Sequence, residues 1–244
     1  MRFKNKVVLI TGASRGIGKA TALEFAKEGA KLIINYIESE KEANDVVNEV
    51  KKLGSDAIAI KCDISDEKQV KIMIEKTIKK FGKVDILINN AGVVFDASLK
   101  DKTVDQWQKT LSTNLLGVFL CSKYASKFMP NGSKIINISS TNGINSFNPN
   151  SMDYDASKAG VIILTRDLAK EFAPKINVNS IAPGWVDTDM NKELSKEFVN
   201  IESNKVYLKR FAQPGEIAKV VLFLASEDAS YVNGITMMVD GGYG

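Results

Sequence analysis

The stretch Val7-Val8-Leu9-Ile10-Thr11-Gly12-Ala13-Ser14-Arg15-Gly16-Ile17-Gly18 decides the fold. Its first four residues form a short apolar run typical of a buried strand, and apolar residues then recur at helical spacing at Ile17, Ala20 and Phe25. The pattern predicts a strand, a glycine turn and a helix. Glycines in such a turn let the backbone approach a pyrophosphate, and the helix N-terminus contributes free N–H groups. Because the spacing differs from G-x-G-x-x-G, a merely structural turn is an open alternative for this stretch alone.

The segment Gly12-Ala13-Ser14-Arg15-Gly16 also matches the G-x-S-x-G turn that carries the nucleophile of many hydrolases. Such a serine needs a base, and the chain contains no histidine. The absence of histidine likewise argues against dehydrogenases with a zinc held by cysteine and histidine, and no metal site is predicted. Any acid or base must therefore be a carboxylate, a tyrosine, a lysine or a cysteine.

Strand patterns alternate with amphipathic helical patterns along the rest of the chain. Further strands are predicted at 31–36, 57–60, 84–88, 133–139, 175–181 and 235–239, and one long helix at 104–128. The fold class is therefore α/β, with a doubly wound, Rossmann-type parallel sheet of about seven strands and helices on both faces. We expect a single domain over 1–244, in which the weakly periodic, polar segment 186–207 forms a lid over the substrate rather than a core helix.

The composition is that of a globular protein: 44% of the 244 residues are hydrophobic and 25% are charged. The net charge of +4 is spread over separate lysines, so nucleic acid and membranes are not the expected partners. Cys62 and Cys121 are far apart and are interpreted as buried thiols of a reducing compartment. The chain starts with polar residues and has no apolar stretch long enough for a membrane span, which predicts a cytoplasmic protein.

The predicted strands bring polar residues to one edge of the sheet. Gly12, Asn35, Asp63 and Asn90 all fall at carboxyl ends of strands, where ligands of such sheets bind. Asn35 stands near the position at which NAD-selective folds carry an acid for the ribose 2′-hydroxyl. Arg15 sits in the first helical turn, where the helix dipole disfavours a cation unless an anion binds there. These two residues predict NADP(H) with its 2′-phosphate, and a solvated surface arginine is the alternative.

A second group of residues suggests acid chemistry. Tyr154 and Lys158 are four residues apart in Tyr154-Asp155-Ala156-Ser157-Lys158, so a helix places them on one face. A lysine charge about 5 Å from the phenol is expected to lower the tyrosine pKa by roughly two units. Ser140 follows the fifth strand, and Asn114 lies near an apolar stripe of the long helix, where a polar residue needs a partner. An ordinary surface Tyr/Lys pair is the alternative for the spacing alone.

Taken in order, these motifs resemble the short-chain dehydrogenase/reductase family along the whole chain: Thr11 to Gly18, Asn89-Asn90-Ala91-Gly92, the Asn114 helix, Ser139-Ser140, the Tyr154/Lys158 pair and Ala182-Pro183-Gly184. The resemblance implies that Tyr154 is the general acid, that Ser140 hydrogen bonds the carbonyl oxygen, and that Lys158 holds the nicotinamide ribose. It implies that Asn114 anchors a water that leads protons to Lys158. It also implies a homotetramer with interfaces at the helices beginning near Val104 and Tyr154.

The implied cofactor site, for NADP(H), has many members. It comprises Gly12, Ser14, Arg15, Gly16, Ile17, Gly18, Asn35, Cys62, Asp63, Asn90, Ala91, Gly92, Tyr154, Lys158, Pro183, Gly184, Val186 and Thr188. The glycine loop and Arg15 would hold the phosphates, Asp63 the adenine and Asn90 the adenine ribose. Val186 and Thr188 would meet the carboxamide.

Within that family, the chain looks most like the 3-oxoacyl-acyl-carrier-protein reductases, through Pro183 to Met190 and Leu222 to Glu227. It departs from their pattern at Val93 to Asp101, and between Ser140 and Tyr154, where it is one residue longer. The segment from Asn142 to Asp153 is expected to line the substrate pocket. Other carbonyl, sugar or acetoacetyl-thioester reductases are therefore alternatives. A non-catalytic dinucleotide-sensing regulator on the same fold is the alternative from another class.

Overall fold

The computed structural model describes residues 1–145, 147–192 and 194–243. Within these residues the strands form a single sheet; each strand is short, and the central strands carry apolar side chains that are buried on both faces. The strands are β1 (Val7–Ile10), β2 (Lys31–Tyr36), β3 (Ala57–Lys61), β4 (Ile86–Asn89), β5 (Ser133–Ile138), β6 (Ile176–Pro183) and β7 (Thr236–Val239).

Helices connect the strands and cover both faces of the sheet. They are α1 (Gly16–Lys27), α2 (Glu40–Lys52), α3 (Glu67–Phe81), α4 (Val104–Leu111), α5 (Gly117–Ala125), α6 (Met152–Phe172), α7 (Lys196–Lys205) and α8 (Pro214–Ala225). One apolar core joins the sheet to α1, α2 and α8, and a second joins it to α3, α5 and α6. The doubly wound α/β fold predicted from the sequence is confirmed.

The strand order is β3-β2-β1-β4-β5-β6-β7, and every pairing is parallel. β1 pairs with β2 on one side and β4 on the other, so the winding of the chain reverses between β1 and β4. In open sheets of this kind the ligand crevice opens at that reversal, beyond the carboxyl ends of the strands. The turn after β1 and the residues after β4 therefore face the crevice together.

The end of β6 differs from the prediction: the strand was predicted to end at Ile181 and instead continues through Ala182 and Pro183. A proline within a strand needs a position where its missing N–H costs nothing. Pro183 meets that need because β5 ends at Ile138, opposite Ile181, and leaves the last residues of β6 paired only with β7. β4 also begins at Ile86, two residues later than predicted.

The predicted long helix over 104–128 is interrupted. A π-helical turn, Ser112–Leu116, joins α4 to α5, and a 3₁₀ turn, Ser126–Phe128, ends the segment. π turns inserted in α-helices frequently mark functional positions. Here the turn contains Asn114, whose side chain is completely buried.

The predicted lid segment, 186–207, contains a 3₁₀ turn at Asp189–Asn191 and the helix α7. Ser195 caps α7 by accepting a hydrogen bond from the Phe198 N–H at 3.1 Å. Only Glu202 is buried among the residues of α7, so the helix covers the surface and does not form part of the core. Glu193, which belongs to the predicted lid, lies outside the described residues. No helix in the described ranges has the length and apolar character needed to cross a membrane.

Candidate active site

The glycine turn after β1 is pressed against the end of β4. Gly12 has a φ of 61°, and a Cβ added to it would lie 2.8 Å from the Ala91 Cα. A Cβ on Gly18 would lie 2.5 Å from the Gly12 carbonyl oxygen and 2.6 Å from the Asn90 side chain. Such separations are too short for a real Cβ, so both positions require glycine. The turn thus brings bare backbone to the mouth of the crevice.

Two polar side chains fasten this turn to β4. The Thr11 hydroxyl accepts hydrogen bonds from the N–H groups of Asn90 (2.9 Å) and Ala91 (3.1 Å). The Asn90 side-chain amide donates to the carbonyls of Thr11 (2.9 Å) and Gly12 (3.0 Å). Thr11 was missing from the predicted site, although a polar residue between an apolar strand and Gly12 was a usable signal.

Asn35 does not face the crevice as predicted. Its side chain is buried, accepts a hydrogen bond from the Gly12 N–H at 3.1 Å, and donates to the carbonyls of Cys62 (3.0 Å) and Ile60 (3.3 Å). The hydrogen bonds of the Asn35 amide therefore join the glycine turn to β2 and β3, and the amide is not available to a ligand. The prediction that Asn35 stands where an acid would meet the ribose is therefore wrong.

The two residues that follow β3, Cys62 and Asp63, lie in different environments. Cys62 is buried in the core beneath the sheet, and burial raises the pKa of its thiol to about 12, so its side chain is a packing element. The predicted buried, unpaired state of Cys62 and Cys121 is confirmed. Asp63 lies at the surface of the crevice, where its carboxylate accepts hydrogen bonds from the Ser65 N–H (2.9 Å) and hydroxyl (2.7 Å).

A cavity of about 670 Å³ opens beside the glycine turn, between α1 and α2. Arg15 lines it as an exposed residue immediately before α1, one position earlier than the predicted first turn. Glu42 and Asp45 line the opposite side, and Lys19 is paired with Glu49 at 2.8 Å. Cationic and anionic side chains therefore share the wall, and Arg15 forms part of its rim.

The start of the lid segment lies close to the glycine turn. A Cβ on Gly16 would stand 3.6 Å from the Thr188 methyl group, which is ordinary contact distance. Val186 is buried, and Gly184 is packed so closely on Asp240 that an added Cβ would lie 2.8 Å from the Asp240 Cβ. The structure thus brings the segment after β6 next to the turn after β1, as the predicted site requires.

Glu202 ties α7 to the rest of the protein and was not anticipated from the sequence. Its carboxylate accepts hydrogen bonds from the Trp185 indole N–H (3.1 Å), the Tyr243 hydroxyl (2.6 Å) and the Lys205 ammonium (2.6 Å). Trp185 also stacks on Phe211 at 5.3 Å between ring centroids. The lid helix is therefore anchored to the turn after β6 and to the end of the described chain.

Ser140, Tyr154 and Lys158 come together at the other end of the crevice. Ser140 follows β5, and its hydroxyl lies close enough to the Tyr154 phenol to influence the pKa of that phenol. The Lys158 ammonium lies 5.4 Å from the centroid of the Tyr154 ring and donates to the Ile138 carbonyl at 2.7 Å. Tyr154 and Lys158 both belong to α6, and their four-residue spacing on that helix places them as close together as the sequence predicted.

Asn114 also reaches this cluster. Its side chain binds the Val93 backbone twice, accepting from the N–H at 2.8 Å and donating to the carbonyl at 2.9 Å, and donates to the Ser157 hydroxyl at 3.1 Å. A Cβ on Gly92 would lie 3.4 Å from the Asn114 carbonyl oxygen and 3.6 Å from the Lys158 nitrogen. Asn114 and Lys158 therefore approach each other on one side of Gly92, and the buried amide has its partners.

The sequence predicted that Lys158 lowers the pKa of Tyr154, and this prediction is wrong for the protein without a bound ligand. Burial raises the pKa of Tyr154 to about 12, although the neighbouring Ser140 hydroxyl opposes the rise. Burial lowers the pKa of Lys158 to about 8. The sequence argument counted the attraction between phenolate and ammonium but omitted desolvation, which penalises both charged forms. A phenol of pKa 12 is still a much stronger acid than an alcohol, so Tyr154 can protonate an alkoxide.

A parallel sheet with a glycine turn at its switch point and a Ser/Tyr/Lys cluster beside it defines an oxidoreductase that uses a nicotinamide dinucleotide. Residues 12–244 match the family model described as Enoyl-(Acyl carrier protein) reductase, which belongs to the short-chain dehydrogenases/reductases. The chain belongs to the short-chain dehydrogenase/reductase family. It is therefore an enzyme that acts on carbonyl or hydroxyl groups.

Individual relatives cover the chain almost completely. The 3-oxoacyl-[acyl-carrier-protein] reductase of Synechocystis sp. is 42% identical over 241 residues, 97% of this chain and 96% of that protein. The 3-oxoacyl-[acyl-carrier-protein] reductase FabG of Staphylococcus aureus is 42% identical over 240 residues, 97% of both chains. A short-chain dehydrogenase from Burkholderia cenocepacia, solved in complex with NADP, superposes with a TM-score of 0.95 at 33% identity over 99% of both chains.

Proposed function

We propose that this chain is an NADPH-dependent reductase of 3-oxoacyl thioesters, with 3-oxoacyl-acyl-carrier-protein as the substrate. The observation that carries the proposal is the convergence of Ser140, Tyr154 and Lys158 in the same crevice as the glycine turn. The relatives from Synechocystis and Staphylococcus aureus, which are named as reductases of this substrate, support the substrate class.

Each of these residues has a role that follows from its chemistry. The dinucleotide supplies the hydride to the carbonyl carbon. The Tyr154 hydroxyl donates its proton to the carbonyl oxygen as charge develops there, and the Ser140 hydroxyl donates a second hydrogen bond to the same oxygen. Lys158, with a pKa of about 8, is mainly protonated at neutral pH and can return a proton to the phenolate. Asn114 would hold the water that leads protons to Lys158.

The residues available for the dinucleotide fit a phosphate-bearing ligand. The bare backbone of the turn from Gly12 to Gly18 and the N-terminus of α1 suit a pyrophosphate. Arg15 on the rim of the neighbouring cavity suits a 2′-phosphate, and the structural neighbour solved with NADP supports that choice. Asp63 would contact the adenine, while Val186 and Thr188 would lie at the nicotinamide end. Asn35 and the Cys62 thiol are not part of this proposal, because both serve the protein interior.

We further propose that residues 1–244 form one dinucleotide-binding domain that also carries the catalytic groups, with the lid at 186–207. We also propose that the protein is located in the cytoplasm and that it forms a homotetramer. Exposed apolar side chains on α5 and α6, including Phe119 and Ile163, support an interface at those helices. The small size of Gly160 on α6 does not add to this support, because a Cβ on Gly160 would lie 2.9 Å from the Leu115 side chain of the same chain and the position is already constrained internally. Sedimentation that gave only a monomer at micromolar concentration would contradict the tetramer.

A substrate panel tests the function. NADPH oxidation would be followed with acetoacetyl-coenzyme A, 3-oxoacyl-acyl-carrier-protein, simple diketones, quinones and an enoyl thioester, and NADP reduction with sugars. We expect the highest kcat/KM with the 3-oxoacyl thioesters. Turnover of the enoyl thioester alone would contradict the proposal and favour reduction of a carbon–carbon double bond. No turnover with any member would favour the dinucleotide-sensing regulator.

A further inference from the structure

Tyr154 lies between two aspartates, and each holds a different loop. Asp153 is completely buried and binds the Lys102 ammonium at 2.8 Å and the Thr110 hydroxyl at 2.7 Å. Asp155 accepts hydrogen bonds from the Asn142 side-chain amide at 2.7 Å and from the Asn148 N–H at 3.0 Å. The residue proposed as the acid is therefore flanked by two carboxylates, and each of them binds a different preceding segment of the chain.

The first loop spans residues 93–102 and begins directly after Gly92, next to Asn114 and Lys158. Asn114 holds its start through Val93. Lys102 holds its end: the side chain is only 4% exposed, pairs with Asp153 and also donates to the Phe95 carbonyl. A buried ammonium that binds both a carboxylate and a carbonyl of its own loop fixes the shape of that loop.

The second loop spans residues 142–150, of which Ser146 lies outside the described residues, and begins two positions after Ser140. Asn142 is bonded to Ser140 in both directions: its N–H donates to the Ser140 hydroxyl at 3.2 Å, and its side-chain oxygen accepts from that hydroxyl at 3.3 Å. Its amide N–H then reaches Asp155, which also binds Asn148. One carboxylate thus fastens this loop to α6 at two positions, Asn142 and Asn148.

The two loops also meet each other. The Ala97 N–H of the first loop donates to the Asn150 carbonyl of the second at 2.9 Å. The described residues of the two loops therefore adjoin as one wall, which is held to α6 immediately before and after Tyr154. These are also the two segments in which the sequence departs from the 3-oxoacyl-acyl-carrier-protein reductase pattern.

We infer that Asp153 and Asp155 are positioning residues that set substrate selectivity, by holding the 93–102 and 142–150 loops as one wall around Tyr154. The inference rests on the proposed function, since it takes Tyr154 as the acid. It assigns no chemical step to either aspartate. The carboxylates act through the loops, and the substrate group that they select is the part of the molecule beyond the reacting carbonyl.

The test compares selectivity between a short and a long substrate, acetoacetyl-coenzyme A and 3-oxooctanoyl-coenzyme A. Asp155→Asn keeps the shape of the side chain but replaces one acceptor atom with a donor, so one of its two bonds is lost. For Asp153 the variant is the pair Lys102→Met with Asp153→Leu, because removing one partner alone leaves a buried charge that can prevent folding. Asp167→Asn, at an exposed position of the same helix, is the matched control.

We expect the ratio of kcat/KM for the two thioesters to change by roughly tenfold or more in both variants, the scale of a reshaped apolar pocket. The change should appear in KM for the long substrate, with NADPH affinity and kcat for the short substrate nearly unchanged. Asp167→Asn should leave the ratio as it is. A fall by the same factor for both substrates would overturn the inference, since a loss of folded protein acts equally on both.

A failure of this inference can be distinguished from a failure of the proposed function. If the unmodified enzyme reduces diketones or quinones but no 3-oxoacyl thioester, the proposed substrate is wrong. The selectivity ratio is then measured between a small and a bulky member of the class that is reduced, with the same expected and contradicting outcomes. If the enzyme reduces nothing in the panel, the proposed function fails, and the inference fails with it.

Discussion

At the glycine-turn end of the crevice, polar side chains bind backbone groups, whereas at the tyrosine end charged side chains bind other side chains as well as the backbone. Thr11, Asn35 and Asn90 all hold main-chain N–H or carbonyl groups of the turn and its neighbouring strands. Around Tyr154, by contrast, Lys102 pairs with Asp153 and Asn142 with Asp155. The first end is a backbone surface with one allowed shape, and the second is adjustable through single side chains.

The difference has a physical basis in what each end must recognise. A pyrophosphate is the same in every dinucleotide, so rigid backbone N–H groups at a helix N-terminus suffice. Substrates vary, and loops fastened by side-chain pairs can change shape when the pairs change. Substitutions at the glycine-turn end should therefore change folding and cofactor binding, whereas substitutions at the tyrosine end should change catalysis or substrate selectivity.

The largest effect is expected at the tyrosine end, from Tyr154→Phe. The change removes one hydroxyl and little volume, so folding and NADPH affinity should survive while kcat falls by about 10²- to 10⁴-fold. Tyr231→Phe, at a fully exposed position, is the control and should have no effect. Steady-state kinetics on a confirmed substrate measure both. Near wild-type kcat in Tyr154→Phe would mean that the proton comes from another group.

At the glycine-turn end the corresponding effect should be on folding and cofactor binding rather than on kcat. In Gly18→Ala the new methyl group would meet the Gly12 carbonyl oxygen at 2.5 Å, and the strain should cost about 3 kcal/mol of stability. Gly215→Ala is the matched control, because nothing lies within 4 Å of its added Cβ and alanine favours a helix. Urea unfolding measures both. Equal stability of the two variants would show that the turn is not constrained as the contacts indicate.

Arg15→Ala tests the comparison of the two ends further, because Arg15 would bind its ligand through a side chain at the glycine-turn end, where the other ligand-binding groups belong to the backbone. Loss of its contact with a 2′-phosphate should cost about 1 to 3 kcal/mol of NADPH binding and leave NADH binding nearly unchanged. Arg166→Ala, at an exposed position on α6, controls for a general loss of positive charge. Fluorescence titration with both dinucleotides measures the effect. Equal losses for NADPH and NADH would refute the assigned role.

The same contrast explains what could be predicted from the sequence. The strand–glycine turn–helix stretch and the four-residue spacing of Tyr154 and Lys158 are local patterns, so both the sheet and the tyrosine cluster were predictable. Asn35 was misassigned because its position at the end of β2 is readable but the direction of its side chain is not. The Lys102–Asp153 pair joins residues 51 positions apart. Their pairing depends on how two loops pack, which periodicity does not report.

Desolvation was the other property that the sequence did not supply. The spacing predicted the distance between Tyr154 and Lys158, but the sign of the tyrosine pKa shift depends on how deeply both groups are enclosed. The same burial that raises the pKa of Tyr154 lowers that of Lys158 to about 8, although Lys158 has a carbonyl partner in Ile138. This conclusion can be checked without a substrate.

The smallest effect is therefore a pH dependence of stability that belongs to Lys158. Its ordinary pKa of 10.5 falls to about 8 in the folded protein, so between these values the unfolded chain binds the proton more tightly than the folded one. Stability contributed by this group then rises with pH across that window, by about 1 kcal/mol between pH 8 and pH 9. Lys158→Met cannot titrate, so the free energy of unfolding of the wild type minus that of the variant should increase by this amount in urea titrations. Groups common to both proteins cancel in the difference. A flat difference for Lys158→Met would show that the ammonium is not held in a desolvated site, and that the tyrosine end is less enclosed than its contacts indicate.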